Sequence, residues 1–275
     1  MYSTTLEKSY LIDTLNKAKL TPSSLKEFFC FNLNLWLDSK EDQFIEQQFI
    51  NKAFEKGEKA GLNFDFFKGK DIYLGLDISK TNDLSSLVML WYDTDNKEYY
   101  AYPYIYFANN PVKRVRSRGI DLTQWLMSGE IRQCSTARID YNMIYDDIMY
   151  IKEHCNILAL GHDGYNKEEI IPMLESQRIN VEYVSQRIAD ITTATKLLDR
   201  VMAQEQLTAV NNAFKWQFKN VIPYRDINNN LKLDKKVSKD SIDSVAALVN
   251  ALELWRKDNE YNLTRTSYTP IKMNW

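Results

Sequence analysis

The chain has 275 residues, a formal net charge of -2 at pH 7, and a composition that is 44% hydrophobic and 13% aromatic. That length suits one large domain or one domain with an extension, and no run approaches the roughly 18–20 apolar residues of a membrane span. The three cysteines, Cys30, Cys134 and Cys155, are scattered and lack CxxC spacing, which argues against a disulfide framework or a zinc site and for a reducing compartment.

The N-terminus, MYSTTLEKSYLIDTLNKAKL, is charged throughout and has no apolar core of a secretory signal. Residues 5–18 and 23–30 read as short helices, with TPSS between them as a stop and a new N-cap. SKEDQFIEQQFINKAFEKGEKA has helical apolar spacing, and GLNFDFF leads out of it. Residues 1–70 are therefore expected to be a helical extension and linker. The character changes at residue 71. DIYLGLDIS, SSLVMLWYD and EYYAYPYIYF predict three strands, the last two joined through TDNK, whose Asp and Asn suit a hairpin turn.

Beyond a polar, basic segment, IDYNMIYDDIMYIKEHC predicts an amphipathic helix, NILALGHD a buried strand, KEEIIPMLESQ a helix and INVEYVS a strand. ADITTATKLLDRVMAQEQ is a longer helix, VIPYRDINNNLKLDKK a hairpin about Asn-rich turn residues, and KDSIDSVAALVNALELWRK the last helix. Three hairpin-linked strands followed by alternating helices and strands predict an α/β domain over residues 71–258, with a mixed sheet flanked by helices. Residues 259–275 read as a polar tail. Both the ribonuclease-H-like and the actin or sugar-kinase architectures have this order in outline. The latter needs further glycine-rich phosphate loops, which eight glycines do not supply.

With only two histidines, His154 and His162, carboxylates are the natural candidates for chemistry. Asp77 ends the first strand, Asp163 closes ILALGHD, and Asp243 opens the last helix. Side chains at the carboxyl ends of neighbouring strands converge on one crevice. Small residues Ala246 and Ala247, with Asn250, would let the helix bring Asp243 to the same place. Two or three such acids suit Mg²⁺, and paired ions about 3.5–4 Å apart serve phosphodiester cleavage. Each acid also has a plainer reading. Asp77 can accept from loop amides, Asp163 can start a turn with Gly164, Asp243 can favour a helix N-terminus, and Asp83 can cap its own loop. His162 is either a supporting neighbour of Asp163 or a structural histidine. The runs VKRVRSRG, with Arg114 and Arg116, and KLDKKVSK, with Lys235, Lys236 and Lys239, are either solvated faces or contacts to a DNA backbone.

Taken together, YLGLDISKTNDLSSLVMLW, ILALGHDGYN, the stretch from VEYVSQ to WQFKNV, and DKKVSKDSIDSVAALVNALELW resemble the nuclease domain of phage terminase large subunits. FCFNLNLWLDSKEDQFI is similar to the segment that precedes that domain, so the resemblance runs from about residue 27 to residue 257. It implies a ribonuclease-H-like fold and a DNA endonuclease using one or two Mg²⁺ or Mn²⁺ ions. Asp77, Asp163 and Asp243 would be the metal-binding catalytic acids, with Asp83 in support. The implied setting is viral genome packaging in the bacterial host cytoplasm. The implied partners are double-stranded DNA, a terminase ATPase, a small terminase subunit and a portal, with no membrane. The sequence departs from the family plan in lacking a G-x-x-x-x-G-K-[ST] phosphate loop, since Gly69-Lys70 is followed by Asp71. The expectation is a nuclease half without its motor. The alternative is a module that keeps the fold to bind DNA or packaging components without cutting.

Overall fold

The structure is a computed structural model that describes residues 8–18, 28, 43–79, 84–109, 122–164 and 167–266. Two compact units are present, Met1–Asp42 and Gln43–Trp275. In the first, helix α1 (Lys8–Ala18) buries Leu11 in a small cluster with Phe28. Apart from Phe28, the helix expected over residues 23–30 lies outside the described residues.

The second unit opens with helix α2 (Gln47–Ala60), which buries Ile50, Ala53 and Phe54 in the main core. It approaches the sheet closely at Gly57, where a Cβ would stand 2.1 Å from the carbonyl oxygen of Ala209. This helix shares a core with the sheet, so the compact unit begins at Gln43 rather than at the border expected after residue 70. Gly61, at φ 60°, ends it in the left-handed conformation that glycine adopts without strain.

Strands β1 (Asp71–Asp77), β2 (Ser85–Asp93) and β3 (Glu98–Phe107) form an antiparallel meander. Their borders match the sequence reading because each alternates between two buried faces. Helix α3 (Thr123–Ser128) and strand β4 (Arg132–Gln133) follow, then helix α4 (Tyr141–His154), capped by Asp140 accepting from the Asn142 amide. Strand β5 (Asn156–His162) pairs parallel to β1. Helix α5 (Lys167–Ser176), strand β6 (Val181–Tyr183), helix α6 (Ile188–Ala203) and strand β7 (Leu207–Ala209) come next. Helix α7 (Asn212–Asn220), the hairpin of β8 (Pro223–Arg225) and β9 (Leu231–Leu233), and helix α8 (Asp243–Thr266) complete the order. Helix α8 thus runs past the border expected at residue 258.

The main sheet has the order β4-β3-β2-β1-β5-β6, and β7 pairs with the other half of the β3 edge. An antiparallel meander extended by parallel strands next to β1 is the ribonuclease-H-like arrangement. Each face carries its own core. Ile72, Leu74, Leu76, Leu87 and Met89 meet Ile144, Ile148 and Ile151 of α4 and Ile170 and Leu174 of α5. On the other face, Val88, Leu90, Ala101 and Ile105 join Val245, Leu248 and Leu252 of α8 and Leu197 and Leu198 of α6. Helix α8 lies directly on β1. A Cβ at Gly75 would stand 1.8 Å from the carbonyl oxygen of Ala247, so only glycine admits this approach. Among the described residues, no helix is long and apolar enough to cross a membrane.

Candidate active site

The contact between Gly75 and Ala247 sets the site. From it, Asp77 lies two residues along β1 on the same face, a step of about 6–7 Å at strand rise. Asp243 lies four residues back along α8, about 6 Å at helix rise. Helix and strand run in opposite senses here, so the two steps end side by side. The carboxylates are 2% and 1% exposed, and both bond one ammonium: Lys235 Nζ stands 2.7 Å from Asp77 and 2.8 Å from Asp243. Two oxygens bonded to one nitrogen are at most about 5.5 Å apart, within the hydrogen-bond lengths that hold them.

Burial alone would lower the pKa of Lys235. The charges of Asp77 and Asp243, and the hydrogen bonds to both, outweigh that effect and hold the ammonium above its ordinary value. Lys235 arrives from the solvent side, with 45% of its side chain exposed.

The helix end that carries Asp243 is tied down by side chains. The Ser244 amide donates to Gln217 Oε1 at 2.7 Å, Gln217 Nε2 donates to Ser244 Oγ at 2.8 Å, and Ser86 Oγ donates to Ser244 Oγ at 2.8 Å. Gln217, fully buried on α7, thereby satisfies one of the amides that a helix N-terminus leaves without an intrahelical partner. About two turns further on, Asn250 Nδ2 donates to the Leu76 carbonyl at 3.1 Å and Gln186 Nε2 donates to Asn250 Oδ1 at 3.0 Å.

Asp163 is half-buried just past the end of β5 and lines the same cavity as Asp77, Lys235, Gln186 and Asn250, about 180 Å³ in volume. By alternation from Gly161, it lies on the α8 side of the sheet. His162 pairs with Leu76 and so faces the opposite side, and its Nδ1 accepts the Gly164 amide at 3.0 Å. Lys236 is exposed, and its amide donates to Asp234 Oδ1; the Lys239 amide donates to the Asn220 carbonyl. Asp83, Arg114 and Arg116 lie outside the described residues.

Among the described residues, no group of three or more His, Cys, Asp or Glu side chains is arranged to hold a metal ion. The donor set of Asp77 and Asp243 nevertheless suits one. These are hard carboxylate oxygens from two buried acids, already closed around a cation.

A family profile described as terminase large subunit, endonuclease domain, matches residues 3–259. The chain belongs to this terminase nuclease family. It is 21% identical over 253 residues to the terminase large subunit of Lactococcus phage p2, covering 90% of this chain and 45% of that protein. The large subunit of Enterobacteria phage HK97 is 22% identical over 180 residues, covering 64% of this chain and 36% of that protein. The crystal structure of the HK97 bacteriophage large terminase superimposes with a TM-score of 0.68 at 20% identity, over 92% of this chain and 51% of that one. The likeness establishes the shared fold. The chain spans about half the length of the relatives it matches.

Within this terminase nuclease domain, sequence reading alone missed α7, Gln217 and the inward course of Lys235. Helical apolar spacing in NAFKWQFKN was the available signal for α7. Lys235 carried none for an inward course, since its run of lysines reads as either a solvated face or a contact to a DNA backbone.

Proposed function

We propose that the chain is a metal-dependent DNA endonuclease of the terminase type. The reading rests on the two buried carboxylates that β1 and α8 bring onto one cation, in a family-matched ribonuclease-H-like domain. Asp77 and Asp243 would hold one or two Mg²⁺ or Mn²⁺ ions, with Asp163 across the cavity completing the set. Bound divalent ions would supply Lewis-acid polarisation of a phosphodiester and a nucleophilic water. The chain's own residues provide the rest. The α8–β1 contact fixes the spacing of the acids, and Gln186 and Asn250 brace the cavity wall. Lys236 and Lys239, with Arg114 and Arg116, would contact the DNA backbone and position it without reading sequence. The substrate would be double-stranded DNA in a packaging complex of the host cytoplasm. An ATPase chain or segment, a small terminase subunit and a portal would be the partners.

Plasmid cleavage in Mg²⁺ or Mn²⁺ tests this. Wild type is expected to cut with little sequence preference, and Asp77→Ala, Asp163→Ala and Asp243→Ala each to lose cleavage while remaining folded. A wild type inert in both metals, or cutting undiminished without the acids, removes the catalytic assignment.

One observation favours a second reading. Lys235 already compensates the buried acids, as in a module that binds DNA or packaging components without cutting. Calorimetry separates the two, since such a module shows no divalent-ion binding that depends on Asp77 and Asp243.

A further inference from the structure

We infer that Lys235 is a resident counter-cation that competes with the divalent ion, so that the ammonium must leave before a metal binds. The inference rests on the metal-site reading of Asp77 and Asp243 above. Both carboxylates are almost wholly buried, and the same Nζ bonds both, at 2.7 and 2.8 Å. One position therefore serves either an ammonium or a metal ion, and the ammonium now holds it.

The placement is specified by the fold. Lys235 follows β9, whose Leu231 amide donates to Thr192 Oγ1 on α6 at 2.9 Å. Beyond Lys235, Ser238 reaches back across it, its amide donating to the Asp234 carbonyl at 3.0 Å and its Oγ to the same oxygen at 2.7 Å. Ser238 Oγ also accepts from the Ile222 amide at 3.2 Å, which ties the loop to the start of the hairpin. The backbone is thus anchored at both ends of a short loop, and only the side chain needs to move. Its exposure leaves it an open path outward.

The arrangement has two consequences. Without metal, Lys235 bridges two carboxylates that would otherwise repel each other at close range. With metal, it imposes a penalty on binding, because each divalent ion must break the ion pair. Anything that draws the ammonium away raises metal affinity by the same factor, by linkage. A DNA phosphate beside the site has the chemistry to do so.

The experiment titrates wild type, Lys235→Met and Lys235→Arg with MnCl₂ by calorimetry and melts each without divalent ion. Lys235→Met is expected to bind Mn²⁺ about tenfold tighter or more, the change for one decade of relieved competition. Lys235→Arg, which keeps the charge, is expected to stay near wild type. Lys235→Met is also expected to melt below wild type without metal, with the gap closing at saturating Mn²⁺. If Lys235→Met binds Mn²⁺ no tighter than wild type, the competition is overturned and the metal site stands. If none of the three binds Mn²⁺, the metal-site reading itself fails. A variant that does not fold leaves the wild type as the test. The ¹⁵N signal of the Lys235 ammonium is expected to be protected from exchange without divalent ion and to lose protection as Mg²⁺ saturates. Protection that persists with Mg²⁺ bound overturns the inference.

Discussion

Two buried carboxylate clusters lie on opposite faces of the same sheet, and they are balanced differently. On the α4 face, Asp147 accepts from the Tyr106 hydroxyl at 2.7 Å and from Arg132, so one acid meets one cation and one neutral donor. On the α8 face, Asp77 and Asp243 both accept from Lys235. In the first, a guanidinium and a neutral hydroxyl hold one acid, whereas in the second one ammonium bridges two acids from different elements. Burial alone therefore does not distinguish a structural acid from a candidate catalytic one; the convergence of two buried acids on one cation does.

The largest expected effect follows directly. Asp77→Asn or Asp243→Asn should lower plasmid cleavage at least about a thousandfold, about 4 kcal/mol of barrier, while Asp147→Asn leaves it near wild type. Comparable losses from all three would erase the distinction. Next in size is Gly75→Ala. Its methyl group would meet the Ala247 carbonyl, so α8 must shift and carry Asp243 away from Asp77. A loss of about 3 kcal/mol in denaturant unfolding is expected, with weaker Mn²⁺ binding. An alanine variant with unchanged stability and affinity would show that the close contact does not set the site.

Asp147→Ala should cost about 2 kcal/mol, because it strips the buried Tyr106 hydroxyl of its acceptor. Urea melts read this, and Mn²⁺ affinity should not move. The smallest effect is the pH dependence of the same cluster. Burial, then the Asp147 charge and hydrogen bond, push the Tyr106 hydroxyl well above its ordinary pKa. A raised folded pKa contributes stability that is fully present below the unfolded tyrosine value near 10 and is lost as pH rises beyond it. Wild type should therefore lose up to about 1.4 kcal/mol per pH unit from this residue above pH 10. Tyr106→Phe should show a correspondingly shallower decline, and parallel curves would count against the assignment.

Much of the fold was legible in the sequence because its signals are local. The β2 and β3 borders follow from apolar alternation between turn residues, and the Asx turn at Asp93, accepting from the Asp95 and Asn96 amides, joins them. β4 and β7, with two and three residues, were not legible, since what makes them strands is pairing with the β3 edge. The border at residue 70 misled for a related reason. Helix α2 has ordinary amphipathic spacing, and nothing in it states that Phe54 will pack edge-on against Phe214 and Phe218.

By itself, the sequence determined the order of the principal strands and helices, the hairpins, and the presence of acids at a strand end and a helix start. These depend on periodicity and turn chemistry within a few residues. Only the tertiary structure decided that Asp77 and Asp243 meet and that Lys235 turns inward to both acids. The bond from Lys235 to Asp77 spans 158 residues of sequence. It exists because a glycine on β1 lets the backbone of α8 settle on the sheet and the β8–β9 hairpin anchors the lysine above the gap, a fit between surfaces that no local pattern encodes.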